Sequence, residues 1–140
     1  MKIQPYLFFN GRCDEAIAFY GRALGTQVTN LMRFKESKET MESGAVPADF
    51  ADKVMHANLK VGDQEFMLSD GMSKEKQNFQ GVSLTIAVDT DAEAERIFNA
   101  LSEGGHVQMP MNKTFFASRF GMVADPFGVS WMVLSGPQEG

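Results

Sequence analysis

The sequence holds one cysteine, Cys13, and so offers neither an internal disulfide nor a multi-cysteine metal site. That usage fits a reducing compartment, and the first residues lack the charged-then-apolar pattern of a secretory signal, so a cytoplasmic protein is expected. No apolar run approaches the ~20 residues a membrane span needs, so no membrane partner is expected. Basic charge is also short. The net charge is −5 and the lysines are scattered through loops, which speaks against a generic nucleic-acid binder with a basic face. No Gly-x-Gly loop follows a predicted strand to hold a nucleotide-like group, and no cofactor is expected. Methionine and phenylalanine, in contrast, are plentiful, at ten and twelve residues. They either fill a core, where Met packs irregular gaps, or line an adaptable apolar pocket.

The chain is 140 residues long, 44% hydrophobic and 22% charged, and reads as a single domain over residues 1–140. A repeat organises it. Shifted by seventy-nine positions, the sequence lays Asn10 on Asp89, Phe19 on Phe98 and Gly25 on Gly104, which are a cap, a core aromatic and a helix stop. The first helix starts near residues 11–14, buries Ala16, Phe19, Tyr20 and Ala23, and ends at Gly25. The second opens with a capping box from Thr90 to Glu93, buries Ala94, Ile97, Phe98 and Leu101, and ends at Gly104-Gly105. Strands precede the helices at residues 3–9 and 82–88, and follow them at 27–34 and 106–109. Hairpins then close each copy, residues 56–61 with 64–69 around Gly62-Asp63, and 119–124 with 129–134 around a four-residue turn at 125–128. The fold class is α+β, two tandem βαβββ modules: module one over 1–70, a polar linker over 71–80, module two over 81–136. The segment 35–53 is expected to be a mobile loop. Phe115-Phe116 either folds back on the core or forms a flap over a ligand.

Several strings carry a resemblance. Glu15-Ala16-Ile17-Ala18-Phe19-Tyr20 running to Leu24-Gly25, with the closing Asp125-Pro126-Phe127-Gly128, resembles the vicinal-oxygen-chelate (glyoxalase, bleomycin-resistance and dioxygenase) superfamily. Pro5-Tyr6-Leu7, Asn10-Gly11-Arg12, Met55-His56-Ala57, Ser69-Asp70 and Arg119-Phe120-Gly121-Met122 are similar to its PhnB-like branch. The resemblance implies curved mixed sheets around a cleft. It does not imply a reaction, because the superfamily spans isomerases, dioxygenases, thiol transferases and drug-sequestering proteins. Members of the branch carry a ubiquinone methyltransferase label, a chemistry for which these residues supply no cofactor loop. In metal-dependent members, two His and two carboxylates sit on the first and last strand of each module. Carried over by motif, those positions fall on Pro5, Met67, Ser83 and Met132, a set that does not suit a divalent cation, so no metal is expected.

Strand alternation supplies a pocket from the residues themselves. With Gly62-Asp63 as the turn, Asn58 pairs with Met67 and His56 with Ser69, so these four share one face. In module two, the four-residue turn places Ser130, Leu134, Val123, Gly121 and Arg119 on the face of Met132, with Trp131 behind and Ser83 and Thr85 beside it. The candidate ligand-binding residues are thus His56, Asn58, Met67, Ser69, Ser83, Thr85, Arg119 and Met132. His56 is either a satisfied structural histidine or a ligand donor and general base. Ser69 opposite His56 is the one nucleophile–base candidate, with no third orienting group apparent. Arg119 is either a solvent residue or a fixed fork for a carboxylate, phosphate or phosphonate. Asp70 is a turn cap or a catalytic carboxylate, Asp125 a turn residue, and Cys13 an inert small side chain.

These residues point first to a metal-independent small-molecule-binding protein, its ligand having an apolar body and an anionic end held by Arg119. The rival is an enzyme of the glyoxalase or dioxygenase type, an isomerase, lyase or transferase. It would use His56 as acid and base, or an atypical metal site recruiting His56 and Asp70. A third reading is a scaffold that only dimerises. A homodimer is expected in any case, since open curved sheets complete themselves through a two-fold partner.

Overall fold

Tyr6–Phe8 and Gln64–Ser69 each send outward side chains to one face and buried ones to the other, and the buried set needs a helix to cover it. The computed structural model describes residues 1–136, in two compact units divided after Gln77. The first unit runs β1 (Tyr6–Phe8), α1 (Cys13–Leu24), β2 (Gln27–Arg33), the short α2 (Lys38–Glu42), β3 (Val54–Val61) and β4 (Gln64–Ser69). Its sheet order is β1-β4-β3-β2, with β1 parallel to β4 and the other pairs antiparallel. The second unit runs β5 (Leu84–Val88), α3 (Asp91–Ser102), β6 (His106–Asn112), β7 (Arg119–Ala124) and β8 (Ser130–Ser135), in the order β5-β8-β7-β6 with β5 parallel to β8. Both units are therefore βαβββ, the α+β class the repeat implies, and each is a mixed four-stranded sheet.

Each helix forms for local reasons. Asp14 and Glu15 sit in the first turn of α1, where carboxylates oppose the positive end of the dipole. The helix stops at Gly25, whose φ of 70° is left-handed and open to glycine without strain. Thr90 caps α3 by accepting the Glu93 N–H at 3.2 Å. Glu93 does not complete the expected capping box but turns to Arg96 at 2.7 Å. Ala16, Phe19, Tyr20 and Ala23 pack α1 on its sheet, and Tyr20 meets Phe9 and Phe66 with ring centroids 6.2 and 6.0 Å apart. Ala94, Ile97, Phe98 and Leu101 do the same in α3 against Val123, Trp131 and Val133.

One aspartate pins each unit, Asp70 buried and Asp91 half-buried. Asp70, fully buried just past β4, accepts from the backbone N–H of Gly11 (2.7 Å), Cys13 (2.8 Å) and Val54 (2.9 Å). It thereby caps α1 from a distant part of the chain and holds β3 at the same time. It is a cap, though of a helix 57 residues away in sequence rather than of its own turn. In the second unit the same seam, from last strand to helix start, runs through Asp91. Ser135 donates to Asp91 Oδ1 at 2.8 Å, and the Ser118 hydroxyl donates to the same oxygen. Those two hydroxyls hold the Asp91 carboxyl below the usual carboxylate range. Cys13, beside Asp70, has no exposed surface, and burial first, then the Asp70 charge, push its thiol well above the ordinary range. The native protein should therefore resist a thiol-specific reagent over hours and react fully once unfolded; rapid native labelling would show that the α1 N-terminus opens.

The structure corrects several sequence expectations. Segment 35–53 is not without structure of its own. It folds into short helical turns around its own cluster of Phe34, Val46 and Phe50, with Met41 and Met55 packed on it. Strand β6 runs on to Asn112 through Pro110, which is tolerated because β6 is an edge strand with one side free of ladder bonds. Phe116 folds against Phe120 at 5.1 Å, whereas Phe115 is 97% exposed. The largest correction concerns the second hairpin. Its turn holds five residues, because Asp125 N–H bonds to Val129 O at 2.9 Å, and pairing begins with Ala124 opposite Ser130. One added residue inverts a strand. Met132 stands opposite Met122 and Leu134 opposite Phe120, whereas Arg119, Gly121 and Val123 share the helix-packed face with Trp131 and Val133. A Cβ on Gly121 would come within 2.7 Å of the Phe98 ring of α3, and Arg119 reaches Glu95 of the same helix at 3.3 Å. Arg119 is not on the open face.

Candidate functional site

In the first unit, the sheet face away from α1 collects the polar residues. Cα partners Asn58 and Met67, and Val61 and Gln64, hold the expected register in the β3–β4 hairpin. Met67 in turn lies beside Tyr6, and Ser69 beside Phe8, in the parallel β1–β4 pair. Side chains that are Cα partners share a face, so Tyr6, Phe8, His56, Asn58, Met67 and Ser69 meet there. Leu7, Ala57, Leu59, Phe66 and Leu68 point to the core. Tyr6 and Phe8 stack with centroids 4.9 Å apart and 13° between planes, yet remain 38% and 42% exposed.

His56 lies at the centre of a short chain of hydrogen bonds. Its Nδ1 is 2.8 Å from the Tyr6 hydroxyl and its Nε2 is 2.6 Å from Asn58 Oδ1. Both ring nitrogens are engaged. Asn58 is the third, orienting group that the sequence did not reveal, and Tyr6, not Ser69, is the partner of the imidazole. Ser69 Oγ instead accepts the Gly71 N–H at 2.9 Å and leans toward Val54 O at 3.5 Å, so no Ser69–His56 nucleophile–base pair forms. Asp70 spends its oxygens on three backbone N–H groups and cannot join His56 in a metal site.

Tyr6 and Phe8 form one wall of a pocket of about 550 Å³. Ser69, Gly71 and Met55 continue the wall, and the segment 71–77 closes the far side. That segment, expected to be a linker, is tied down where Asn10 Nδ2 donates to Gln77 Oε1 at 3.0 Å and to the Glu75 carbonyl. Gly71 is needed there: its φ is +65°, and a Cβ would come 3.1 Å from Asn10 Oδ1 and 3.4 Å from the Phe8 ring. Sequence reasoning missed Tyr6, Phe8 and Asn10. The signal was available in the alternation of residues 6–9, which sends Leu7 and Phe9 inward and leaves two aromatic rings on the open face.

In the second unit, the corresponding face carries Thr85, Met132, Met122 and Met109 in one row across all four strands. Ser83 Oγ bonds Ser130 Oγ at 3.2 Å, and Ser130 bonds Gln108 at 3.2 Å. Of the expected site residues, Ser83, Thr85 and Met132 are together here, and Arg119 is on the other side. Tyr6 is the Cα partner of Met67 and Thr85 that of Met132, with Pro5 just ahead of β1 and Ser83 just ahead of β5. Neither Tyr6 with Met67 nor Thr85 with Met132 offers the imidazole nitrogen or carboxylate oxygen that a divalent cation takes. Among the described residues, no three His, Cys, Asp or Glu side chains come together to hold a metal ion.

Comparison with known proteins places the chain in a family. The family described as 3-demethylubiquinone-9 3-methyltransferase matches residues 1–134. The chain belongs to that family. Protein YjdN of Escherichia coli is 34% identical over 138 residues, 95% of this chain and 94% of its own length. The crystal structure of protein PA1353 from Pseudomonas aeruginosa is 45% identical, with 99% of each chain covered and a TM-score of 0.85. A Bacillus cereus structure described as a putative 3-demethylubiquinone-9 3-methyltransferase, PhnB protein, is 28% identical with a TM-score of 0.80, covering 97% of this chain and all of its own. A glyoxylase/bleomycin resistance protein/dioxygenase domain from Frankia shares the fold at 12% identity, with a TM-score of 0.70 and 97% of each chain covered. The Bacillus cereus relative carries the PhnB name that the motifs implied, and the Frankia domain shares the glyoxalase and bleomycin-resistance fold. No helix among the described residues is long and apolar enough to cross a membrane.

Proposed function

We propose that the chain is a metal-independent small-molecule-binding protein of the cytoplasm, acting as a homodimer, whose ligand sits in the pocket beside Tyr6 and Phe8. The observation that carries this reading is the pair of stacked, partly exposed rings walling a pocket of about 550 Å³, a size suited to a small organic ligand. Exposed aromatic surface in a concave setting is unfavourable unless something covers it. An apolar ligand body gains there both by leaving water and by stacking on a ring. The anionic end has lost its anchor with the placement of Arg119 and is not part of this reading. The family name describes a methyl transfer; nothing in the pocket's aromatic and hydroxyl side chains supplies a cofactor loop for it. A second reading, an acid–base enzyme, is favoured by one observation, the seating of His56 between Tyr6 and Asn58.

Native mass spectrometry of the gently purified protein tests the proposal. The expected spectrum shows a dimer of the 15.5 kDa chain with a small organic adduct, and Phe8→Ala loses the adduct while melting within a few degrees of wild type. Loss of a packed ring face costs about 1–2 kcal/mol of binding, roughly tenfold in affinity. An adduct retained by Phe8→Ala would place the ligand elsewhere, and a spectrum of monomer alone would remove the dimer. If wild type instead converts the ligand and His56→Gln binds it without turnover, the enzyme reading takes over.

A further inference from the structure

The hydrogen-bond chain on the open face also fixes what kind of polar group the pocket accepts; the argument rests on the ligand pocket described above. Asn58 Oδ1 lies 2.6 Å from His56 Nε2, and an amide oxygen only accepts, so Nε2 carries the hydrogen. In a neutral imidazole the other nitrogen is then a bare acceptor. Here that nitrogen, Nδ1, is 2.8 Å from the Tyr6 hydroxyl, which must donate to it. A phenol has one proton, and this one is committed to His56. Burial holds the Tyr6 phenol above its usual range while Ser69 pulls weakly the other way, so the group stays neutral and keeps that proton. With its proton spent on His56, the Tyr6 oxygen has only lone pairs to offer a ligand.

Two other polar groups on the wall are already engaged. Asn10 uses its amide hydrogens on Gln77 and the Glu75 carbonyl. Ser69 accepts from Gly71, and its one proton lies between Val54 O and the Tyr6 oxygen, which still leaves Tyr6 a second lone pair. Of the charged residues at the rim, Glu75 and Lys76 are adjacent and of opposite sign, so they give the pocket no net charge preference. We propose that the pocket selects a flat, uncharged, largely apolar molecule that donates a hydrogen bond, through an O–H or N–H group, to the Tyr6 oxygen. The ring stack holds the body of such a ligand, and the His56–Asn58 pair acts behind Tyr6 as a positioning device that sets the direction of its hydrogen bond.

Two measurements test this. The first uses three matched probes: indole, which is flat and donates; 1-methylindole, which has lost the donor; and quinoline, which only accepts. Titrated calorimetrically or by ligand-observed NMR, indole should bind at least about fivefold more tightly than the other two, the worth of one neutral hydrogen bond. In Tyr6→Phe, which keeps the ring, the three affinities should converge. The second measurement is the 15N spectrum of the imidazoles at pH 8, above the range where imidazoles generally titrate. His56 should show a protonated Nε2 and a bare, hydrogen-bonded Nδ1 that shifts in Tyr6→Phe. A His56 protonated at Nδ1 overturns the inference. So does equal or tighter binding of 1-methylindole or quinoline, and if that binding still depends on Phe8, the ligand pocket survives without its donor preference. If none of the three probes binds up to its solubility limit, the pocket reading itself falls and takes the inference with it.

Discussion

Replacing Asp70 with alanine is expected to destabilise the protein by about 4 kcal/mol, seen as a fall of more than about 10 °C in the melting temperature. The carboxylate takes three backbone N–H groups, from Gly11, Cys13 and Val54, at 2.7–2.9 Å in a place with no solvent access. Each donor stranded in a buried site costs about 1–3 kcal/mol, and water cannot enter without opening the α1 N-terminus. The effect is not confined to one element, because the bonds join the start of α1, the start of β3 and the end of β4. Asp70→Asn separates charge from shape. Its amide oxygen can still serve Gly11 and Cys13, but its NH2 then faces the Val54 N–H, so roughly half the loss is expected. Calorimetry on both variants checks this. An Asp70→Ala protein melting within two or three degrees of wild type would mean that the three N–H groups find other partners.

This residue also shows what a sequence can and cannot disclose. Asp70 at a strand end reads as a turn cap, and a cap it is. That it caps a helix begun far earlier in the chain follows only from the parallel pairing of β1 with β4, which brings residues 9–13 alongside residues 69–70. The architecture itself was legible. The repeat of Phe19 on Phe98 and Gly25 on Gly104, the helical spacing of the buried stripes and the Gly62-Asp63 turn are local signals, and the folded chain keeps all of them. Segment 35–53 was misread for a physical reason: its apolar residues Phe34, Val46 and Phe50 are too far apart to show a period, and they form a cluster only once the chain has doubled back.

The site was half legible. Alternation placed His56, Asn58, Met67 and Ser69 on one face because the two-residue turn between β3 and β4 leaves no freedom in register. It could not show that Tyr6 comes between Ser69 and His56, since that contact spans 50 residues and depends on which strand lies next to β4. Arg119 was lost to a single residue of turn length. Asp125-Pro126-Phe127-Gly128 looks like a complete four-residue turn, and the Asp125 side chain, together with its backbone N–H, draws Val129 into it as well.

That side chain carries the second large effect. Asp125 is buried in the other unit and holds its own turn: Oδ1 accepts from Phe127 N–H at 2.9 Å and Val129 N–H at 3.0 Å, and Oδ2 accepts from Trp131 Nε1 at 2.9 Å. The bonds to Phe127 and Val129 hold the five-residue turn that puts Trp131 toward α3 and Met132 toward the open face. Asp125→Ala should cost about 3 kcal/mol, since it strands a buried indole N–H and two turn amides together. Trp131 is the sole tryptophan of the chain, so its fluorescence reports on this end of the second unit. In Asp125→Ala the native emission should shift to longer wavelength as the indole loses its acceptor and water reaches it, whereas Asp70→Ala should leave the native emission where it is until the chain unfolds. The contrast matters because a general loosening of the fold would move both. If Asp125→Ala keeps the wild-type emission and melts normally, the turn length is fixed by Pro126 and Gly128 backbone geometry instead, and the four-residue reading fails for a reason other than the aspartate.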